Sequence, residues 1–346
     1  MNERVALIHI GTHKTGTTSL QLFFDTNQER FGSTSIYVTR SGRYMDLVGN
    51  HQVGWELLSS NDSPHARELF AELRGIDDRV AIVTSEDLCL LYARPAALAF
   101  LREGIESAGF VPKIVVYLRA QAPYAESLYI ERAKAKYILD IKRYLDEIFD
   151  TGRYCAEDSA IQLEFMYTRL LEPFVQTFGA SNVIIRPYVQ TGDAFHIFRD
   201  FLEVLRLVYP DFAKSKLSLT VSSPRANDTL TYWDLLRDAY AVCTPAGDPP
   251  LSEDFRAVFA PAEPDIYQSK VRLLNRDEYV AIAEQFAADN DWLLKRFGVR
   301  IEGSALEDIA PADDPRWQIA RRQRELYEKF LALWLTRKAS SQQPRE

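Results

Sequence analysis

The sequence contains few cysteines. Only Cys89, Cys155 and Cys243 occur among its 346 residues, an odd number without a C-x-x-C spacing. A disulfide framework needs paired cysteines, and a structural zinc site needs closely spaced ligands, so the sequence argues against both. We therefore expect a protein of the reducing cytoplasm.

Long apolar runs are also missing. No stretch approaches the roughly 20 apolar residues that a membrane-spanning helix needs. The apolar run in MNERVALIHIG is short, ends at Gly11 and is not followed by a small-residue cleavage site. We predict neither a signal peptide nor a membrane span.

A basic surplus is absent as well, because the formal net charge is −8. A protein that binds nucleic-acid phosphates usually carries such a surplus. Nucleic acid is therefore not expected as the main partner, although a local basic pocket is compatible with this charge.

Short apolar, β-branched segments alternate with helical patterns along the first part of the chain. Strands are predicted at Val5–Ile10, Val80–Thr84, Lys113–Leu118 and Asn182–Arg186, with a weaker one at Ser35–Val38. Helices are predicted at Thr17–Gln28, Pro64–Arg74, Pro95–Ala108, Pro123–Tyr137 and Ile161–Phe178. Such strands are covered on both faces, and their alternation with helices implies right-handed crossovers. The expected fold is α/β, with three layers around a mostly parallel central sheet.

The pattern changes after about Pro210. Five prolines lie within 244–264, where a long helix does not fit. Helical patterns return at Asp228–Val242, Asp277–Phe297 and Pro315–Arg337. We predict a single domain over 1–337, with an α/β nucleotide-binding core at 1–209, a helical and loop cap at 210–337, and a disordered tail at 338–346.

A glycine-containing loop, GTHKTGTTS, joins the first predicted strand to the first predicted helix. Backbone N–H groups in such a turn, together with the positive end of the helix dipole, bind anions. The two glycines have the spacing of a Walker loop, but Thr17 stands at the lysine position and the lysine is residue 14. No Walker B aspartate follows a later strand, so a magnesium-bound triphosphate is disfavoured. The alternative is a strand–helix turn that binds no ligand.

The string IHIGTHKTGTTSLQ resembles the 5′-phosphosulfate-binding loop of the PAPS-dependent sulfotransferase family, in the form found in bacterial members. The resemblance implies a P-loop NTPase-like fold and 3′-phosphoadenosine 5′-phosphosulfate (PAPS) as co-substrate. It also implies that the co-substrate contacts Thr12, His13, Lys14, Thr15, Gly16, Thr17, Thr18 and Ser19. A looser similarity extends over most of residues 5–297.

A second motif lies in VVYLRAQAPYAESLY, where Arg119 ends a predicted strand and Ser127 follows eight residues later. A guanidinium binds phosphate through two hydrogen bonds, and a hydroxyl adds another donor. The pair resembles the family's 3′-phosphate motif, which implies that both residues hold the 3′-phosphate of PAPS. Arg225, in a loop before a predicted helix, is expected over the nucleotide. A surface salt bridge, an exposed helix serine and a capping loop are the structural alternatives for these three residues.

Two residues are candidates for the general base. Glu86, in the string TSED after a predicted strand, resembles the S-S-E signature of bacterial members, and a carboxylate takes a proton when burial raises its pKa. The alternative is a helix cap by Ser85, with Glu86 or Asp87 complementing the helix dipole. His51 is the rival base, since imidazole titrates near neutrality.

These motifs each follow the carboxyl end of a parallel-type strand, the edge at which such sheets bind ligands. They predict in-line sulfuryl transfer from PAPS to a hydroxyl or amine of a small-molecule or glycan acceptor, with a carbohydrate or glycolipid expected by analogy. Lys14 is expected to stabilise the leaving oxygen, and no metal is expected. Trp55, Tyr92 and Tyr129 are candidate wall residues for the acceptor.

Two other hypotheses stay open. A P-loop kinase of small molecules requires ATP and magnesium, and a catalytically inactive nucleotide-binding module binds a nucleotide without transfer. The oligomeric state is also open at this stage.

Overall fold

The chain is described by a computed structural model over residues 3–45, 47–134, 140–155, 161–189, 193, 195–214, 219–220, 231–243, 264–301 and 310–341. The described residues fall into two compact units. The first lies within 1–119, 153–226 and 288–302, and the second within 120–152, 227–287 and 303–346. The predicted single domain and its boundary at 209/210 stay predictions.

The described strands are β1 (Val5–His9), β2 (Ile36–Val38), β3 (Val80–Thr84), β4 (Val111–Leu118), β5 (Arg153–Cys155), β6 (Gln162–Glu164) and β7 (Val183–Pro187). The described helices are α1 (Thr17–Thr26), α2 (Gln28–Gly32), α3 (His51–Ser59), α4 (Pro64–Arg74), α5 (Pro95–Ser107), α6 (Gln121–Lys134), α7 (Ile141–Thr151), α8 (Tyr167–Phe178), α9 (His196–Val208), α10 (Tyr232–Cys243), α11 (Pro264–Gln268), α12 (Arg276–Gln285), α13 (Ala287–Phe297) and α14 (Pro315–Ser341). None of these helices combines the length and the apolar character needed to cross a bilayer.

The central sheet lies in the first unit. Its strands are parallel and follow the order β2-β3-β1-β4-β7. All residues of β1 and β3 are buried, which explains why both strands are apolar without alternation. The α/β class with a mostly parallel sheet, predicted from these runs, is confirmed.

Helices cover both faces of the sheet. On one face, α1 and α9 pack through aromatic side chains: Phe23 stacks on Phe198 with ring centroids 4.9 Å apart, and Phe24 lies 4.7 Å from Phe201. On the other face, α5 and α8 contact β4, and α4 contacts α5. The chain runs from β1 to β2 in one direction across the sheet and from β3 to β4 in the other, with a helix in each connection.

Several predicted helices have different bounds in the structure. The helix predicted at Pro315–Arg337 continues to Ser341, so the disordered tail predicted at 338–346 is wrong for its first four residues. The helix predicted at Ile161–Phe178 begins only at Tyr167, and Gln162–Glu164 instead pairs antiparallel with β5. The buried Glu164 carboxylate accepts hydrogen bonds from the two main-chain N–H groups that follow it, which ends the strand before the helix starts. The helix predicted at Asp277–Phe297 is two helices, α12 and α13, which meet at Phe286.

Candidate functional site

Four polar or aromatic side chains follow the carboxyl ends of neighbouring parallel strands. Lys14 follows β1, Glu86 follows β3, Arg119 follows β4 and Tyr188 follows β7. From β1 the chain crosses to β2 on one side of the sheet, and from β4 it continues to β7 on the other, so the strand order reverses between β1 and β4. This reversal is the position at which open α/β sheets bind ligands.

The loop between β1 and α1 has an unusual backbone. Gly11, Lys14 and Gly16 have φ angles of 40°, 63° and 77°, in the left-handed region. Closely spaced left-handed residues turn successive N–H groups towards one point and form an anion-binding concavity. Gly16 is also the N-cap of α1 and supplies no side-chain acceptor, so the first N–H groups of the helix are not capped by a side chain. The backbone of the loop therefore suits an anion.

Two threonines of the loop hold it in place. The buried Thr12 hydroxyl donates to the Tyr117 carbonyl on β4 at 2.9 Å, and the buried Thr15 hydroxyl donates to the Thr12 carbonyl at 2.6 Å. Since both hydroxyl protons are used inside the protein, these two residues are left with their main-chain N–H groups for an anion. Thr17 is buried, Ser19 and His13 are half-buried, and Thr18 is exposed.

His9, the last residue of β1, lies beneath this loop. It is fully buried, and its Nδ1 is 2.9 Å from the Thr84 hydroxyl. Burial lowers the pKa of His9 to about 3, so the imidazole is neutral. Its Nε2 has no hydrogen-bond partner within the described part of the chain. His9 is a buried support of the loop.

Arg119 contacts the loop directly. Its guanidinium Nη1 donates to the Lys14 carbonyl at 3.3 Å, and the guanidinium carbon lies 5.6 Å from the centre of the Tyr188 ring. Tyr188 also borders Gly16, where an added Cβ would lie 3.5 Å from the tyrosine ring. The Tyr167 hydroxyl donates to the Arg119 carbonyl and fixes the main chain at this point. The structure thus brings Lys14 and Arg119 together, two residues that the sequence analysis assigned to one ligand.

The two candidate bases lie close to α1. Gln21, on the second turn of α1, donates to Glu86 Oε2 at 2.7 Å. The Nδ1 of His51 lies 2.9 Å from Asp87 Oδ2, and both side chains are largely buried. Glu86 and the His51–Asp87 pair are adjacent through the main chain, because Glu86 and Asp87 are consecutive residues.

The protonation of His51 is controlled by these carboxylates. Burial lowers its pKa, but the hydrogen bond that His51 donates to Asp87 and the negative charges of Glu86 and Asp87 outweigh burial and raise the pKa above its ordinary value. The predicted capping role of Ser85 is also present, since its hydroxyl accepts from the Asp87 N–H at 3.2 Å. The capping role does not depend on whether Glu86 or His51 acts as a base.

The other predicted site residues are Ser127, Arg225 and the three candidate wall residues of the acceptor. Ser127 is a half-buried residue of α6 in the second unit, and its role stays a prediction. Arg225 lies outside the described residues. Among the candidate wall residues, Trp55 is 40% exposed, whereas Tyr92 and Tyr129 are buried. The assignment of Tyr92 and Tyr129 to the acceptor wall stays a prediction, and any such wall would have to be enclosed.

Three residues contact the predicted site residues but are not predicted as contacts from the sequence. Tyr188 follows the carboxyl end of β7, and the same rule that selected Lys14 and Arg119 would have selected it. Gln21 pairs with Glu86, 65 positions along the chain, and Asp87 pairs with His51, 36 positions away. No local sequence pattern indicates pairs at such separations. Within the described ranges, no group of three or more His, Cys, Asp or Glu side chains could hold a metal ion.

No protein-family model and no curated protein matches the sequence. Among solved structures, a sulfotransferase from Alicyclobacillus acidocaldarius is similar, with a TM-score of 0.39 and 16% sequence identity, covering 69% of this chain and 95% of that chain. The fold class rests on the sheet itself. The protein is an α/β protein with a parallel sheet and a glycine-containing strand–loop–helix unit at its switch point.

Proposed function

We propose that this protein is a sulfotransferase that moves the sulfuryl group of PAPS to a hydroxyl or amine of an acceptor. The co-substrate is held by the loop from Thr12 to Ser19, with Lys14 as its cation, and by Arg119 at the 3′-phosphate. Ser127 and Arg225 are proposed as further contacts. A carbohydrate or glycolipid acceptor is part of the proposal by analogy with bacterial sulfotransferases.

The observation that carries the proposal is the hydrogen bond from Arg119 to the Lys14 carbonyl. PAPS carries phosphate at both its 3′ and 5′ positions, so its site needs two separate cationic groups at one edge of the sheet. Lys14 and Arg119, which follow the neighbouring strands β1 and β4, are proposed as these two groups. The choice of PAPS as the nucleotide rests on the resemblance of the string IHIGTHKTGTTSLQ to the 5′-phosphosulfate loop.

The chemistry is an in-line displacement at sulfur. The acceptor oxygen forms a bond to sulfur while the bond to the bridging oxygen of the 5′-phosphate breaks, and the electron pair stays on that oxygen. Lys14 and the loop N–H groups stabilise the developing negative charge. Glu86 or His51 removes the acceptor's proton.

Calorimetry with three nucleotides tests the proposal against the kinase hypothesis. We expect adenosine 3′,5′-bisphosphate to bind more tightly than ADP, and ATP to gain nothing from magnesium. Tighter binding of ATP with magnesium would instead support a P-loop kinase.

A transfer assay tests the proposal against the inactive-module hypothesis. We expect label from [³⁵S]PAPS to appear on at least one member of a panel of sugars, phenols and amines. Tight binding of the bisphosphate without transfer to any of them would contradict the enzyme and support a binding module.

A further inference from the structure

Exposed apolar side chains cluster beside the candidate bases. Tyr44 and Trp55 are 39% and 40% exposed. Met45 and Leu47, which lie between them in the sequence, are 83% and 47% exposed. The two aromatic rings meet edge to face, with centroids 5.4 Å apart and an angle of 71°. We call Tyr44 and Trp55 the aromatic platform. Exposed apolar side chains in contact with one another, as Tyr44 and Trp55 are, mark candidate binding surfaces on soluble proteins.

The platform adjoins His51. Trp55 lies one turn after His51 on α3, and the two ring centroids are 5.8 Å apart. The imidazole is itself 8% exposed, so Trp55 forms an open surface beside a largely buried titratable group. A molecule seated on Trp55 would therefore be next to the imidazole.

Asp87 fixes the orientation of this imidazole. Its carboxylate lies 2.9 Å from His51 Nδ1, and its own main chain is held by the Ser85 hydroxyl. Gly54 permits the close packing of α3 against this segment, because an added Cβ would lie 2.9 Å from the Asp87 Cβ. A neutral histidine that donates Nδ1–H to a carboxylate presents its Nε2 lone pair as a proton acceptor.

The Nε2 side of the imidazole faces α1. An added Cβ on Gly49 would be 2.9 Å from His51 Nε2 and 3.0 Å from Gln21 Nε2, so both nitrogens lie against the same glycine. Gln21 belongs to the helix that begins at the phosphate-binding loop. Within the first unit, the imidazole therefore lies between the aromatic platform and the helix that carries the loop.

We propose that the aromatic platform and the His51–Asp87 pair form the acceptor subsite, which takes an uncharged ring compound with an apolar face and a hydroxyl group, and that Asp87 is its positioning residue. This proposal rests on the proposed sulfuryl transfer. An apolar ring face fits the aromatic side chains, whether it is a phenol ring or the C–H face of a pyranose. The carboxylates of Glu86 and Asp87 flank His51 and disfavour an anionic acceptor.

The proton balance of the step is complete. The acceptor hydroxyl gives its proton to His51 Nε2 as its oxygen bonds to sulfur, and the leaving bond places its electron pair on the 5′-phosphate oxygen of PAPS. His51 then returns the proton to solvent. Glu86, held by Gln21, stabilises the imidazolium that forms.

Binding of two probes tests the platform. Methyl β-D-glucopyranoside and 4-methylphenol are titrated, at millimolar concentrations, into protein saturated with adenosine 3′,5′-bisphosphate and followed by ligand-observed NMR. We expect at least one probe to bind and Trp55→Ala to weaken it at least tenfold, with nucleotide affinity unchanged. Trp233→Ala is the matched control, since Trp233 is 43% exposed and lies in the second unit.

The outcomes separate the hypotheses. Binding of only the glucoside identifies a carbohydrate-type acceptor, and binding of only the phenol identifies a phenolic one. If neither probe binds, or if Trp55→Ala binds them as the unaltered protein does, the platform proposal is overturned. Failure of the bisphosphate to bind would instead contradict the proposed function itself.

An NMR titration of the His51 imidazole tests the positioning role without an activity assay. In Asp87→Asn the pKa of His51 should fall, because a hydrogen bond and a negative charge are lost. Where turnover is measurable, kcat should fall at least a hundredfold and the rising limb of its pH profile should move to lower pH. Glu56→Gln is the control, because Glu56 forms a second histidine–carboxylate pair with His65, with an oxygen 2.6 Å from Nδ1. An unchanged His51 pKa in Asp87→Asn, or an equal loss of turnover in Glu56→Gln, would overturn the positioning role.

Discussion

Replacement of Gly16 by alanine tests the backbone of the loop between β1 and α1. Gly16 has a φ angle of 77°, and a Cβ there would lie 2.8 Å from the Ile197 Cδ1 atom. A left-handed alanine costs about 1–2 kcal/mol of folding free energy. Displacement of the flexible Ile197 methyl from its rotamer adds roughly 0.5–1.5 kcal/mol. We therefore expect Gly16→Ala to lower the free energy of unfolding by about 1.5–3.5 kcal/mol.

Gly298 provides the matched control. Its φ angle is 67°, and no heavy atom lies within 4 Å of an added Cβ, so Gly298→Ala should cost only the backbone penalty of about 1–2 kcal/mol. Urea unfolding of both variants measures the two costs. Gly16→Ala should also weaken the binding of adenosine 3′,5′-bisphosphate at least tenfold, whereas Gly298→Ala should leave this affinity unchanged. A cost below about 0.5 kcal/mol at Gly16 would refute the left-handed loop conformation.

Three further predictions concern the same unit. Lys14→Ala should lower the transfer rate by about 10²–10³ while the urea midpoint stays unchanged, and a normal rate would remove Lys14 from the chemistry. Thr12→Val should cost about 1–3 kcal/mol in urea unfolding, because the buried Tyr117 carbonyl loses a donor at 2.9 Å; no measurable cost would mean that this hydrogen bond does not hold the loop. The raised pKa of His51 stabilises the folded protein fully below its ordinary pKa of about 6.5, and this contribution is lost as pH rises through the folded-state pKa. Urea unfolding across that pH window should show the loss in the unaltered protein and a flatter profile in His51→Gln, and identical profiles would contradict it.

The sheet was predictable because its inner strands β1 and β3 are buried on both faces. The apolar runs at β1, β3, β4 and β7 carry almost no alternation, and that pattern has few other interpretations. Two helices were missed although their periodicity is visible: α7 buries Ile141, Tyr144, Leu145 and Ile148, and α9 buries Ile197, Phe198, Phe201, Val204 and Leu205.

Helix α3 was harder to predict. It has Gly54 in its interior, and glycine weakens a helical pattern by about 1 kcal/mol relative to alanine. The structure gives the reason for the glycine, since a Cβ at this position would collide with Asp87. A residue selected for close packing therefore obscured the helix that carries His51.

The site was predictable to the extent that it follows from topology. Residues directly after parallel strands meet at one edge, so the loop with Lys14 and the position of Arg119 could be inferred without coordinates. The pairs Gln21–Glu86 and His51–Asp87 could not, because they depend on how helices pack across the sheet edge. Sequence alone consequently left two candidate bases, whereas the structure gives each a distinct partner.

The most direct test of the central claim is the binding of adenosine 3′,5′-bisphosphate and adenosine 5′-phosphate to Arg119→Ala and to Lys14→Ala by calorimetry. If both side chains hold one nucleotide, Arg119→Ala should remove the preference for binding the 3′-phosphorylated form. Lys14→Ala should lower the affinity for both nucleotides by the same factor. Arg67→Ala, which removes an exposed arginine paired with Asp62, should change neither affinity. Equal weakening of the two nucleotides by Arg119→Ala would contradict the assignment of Arg119 to the 3′-phosphate.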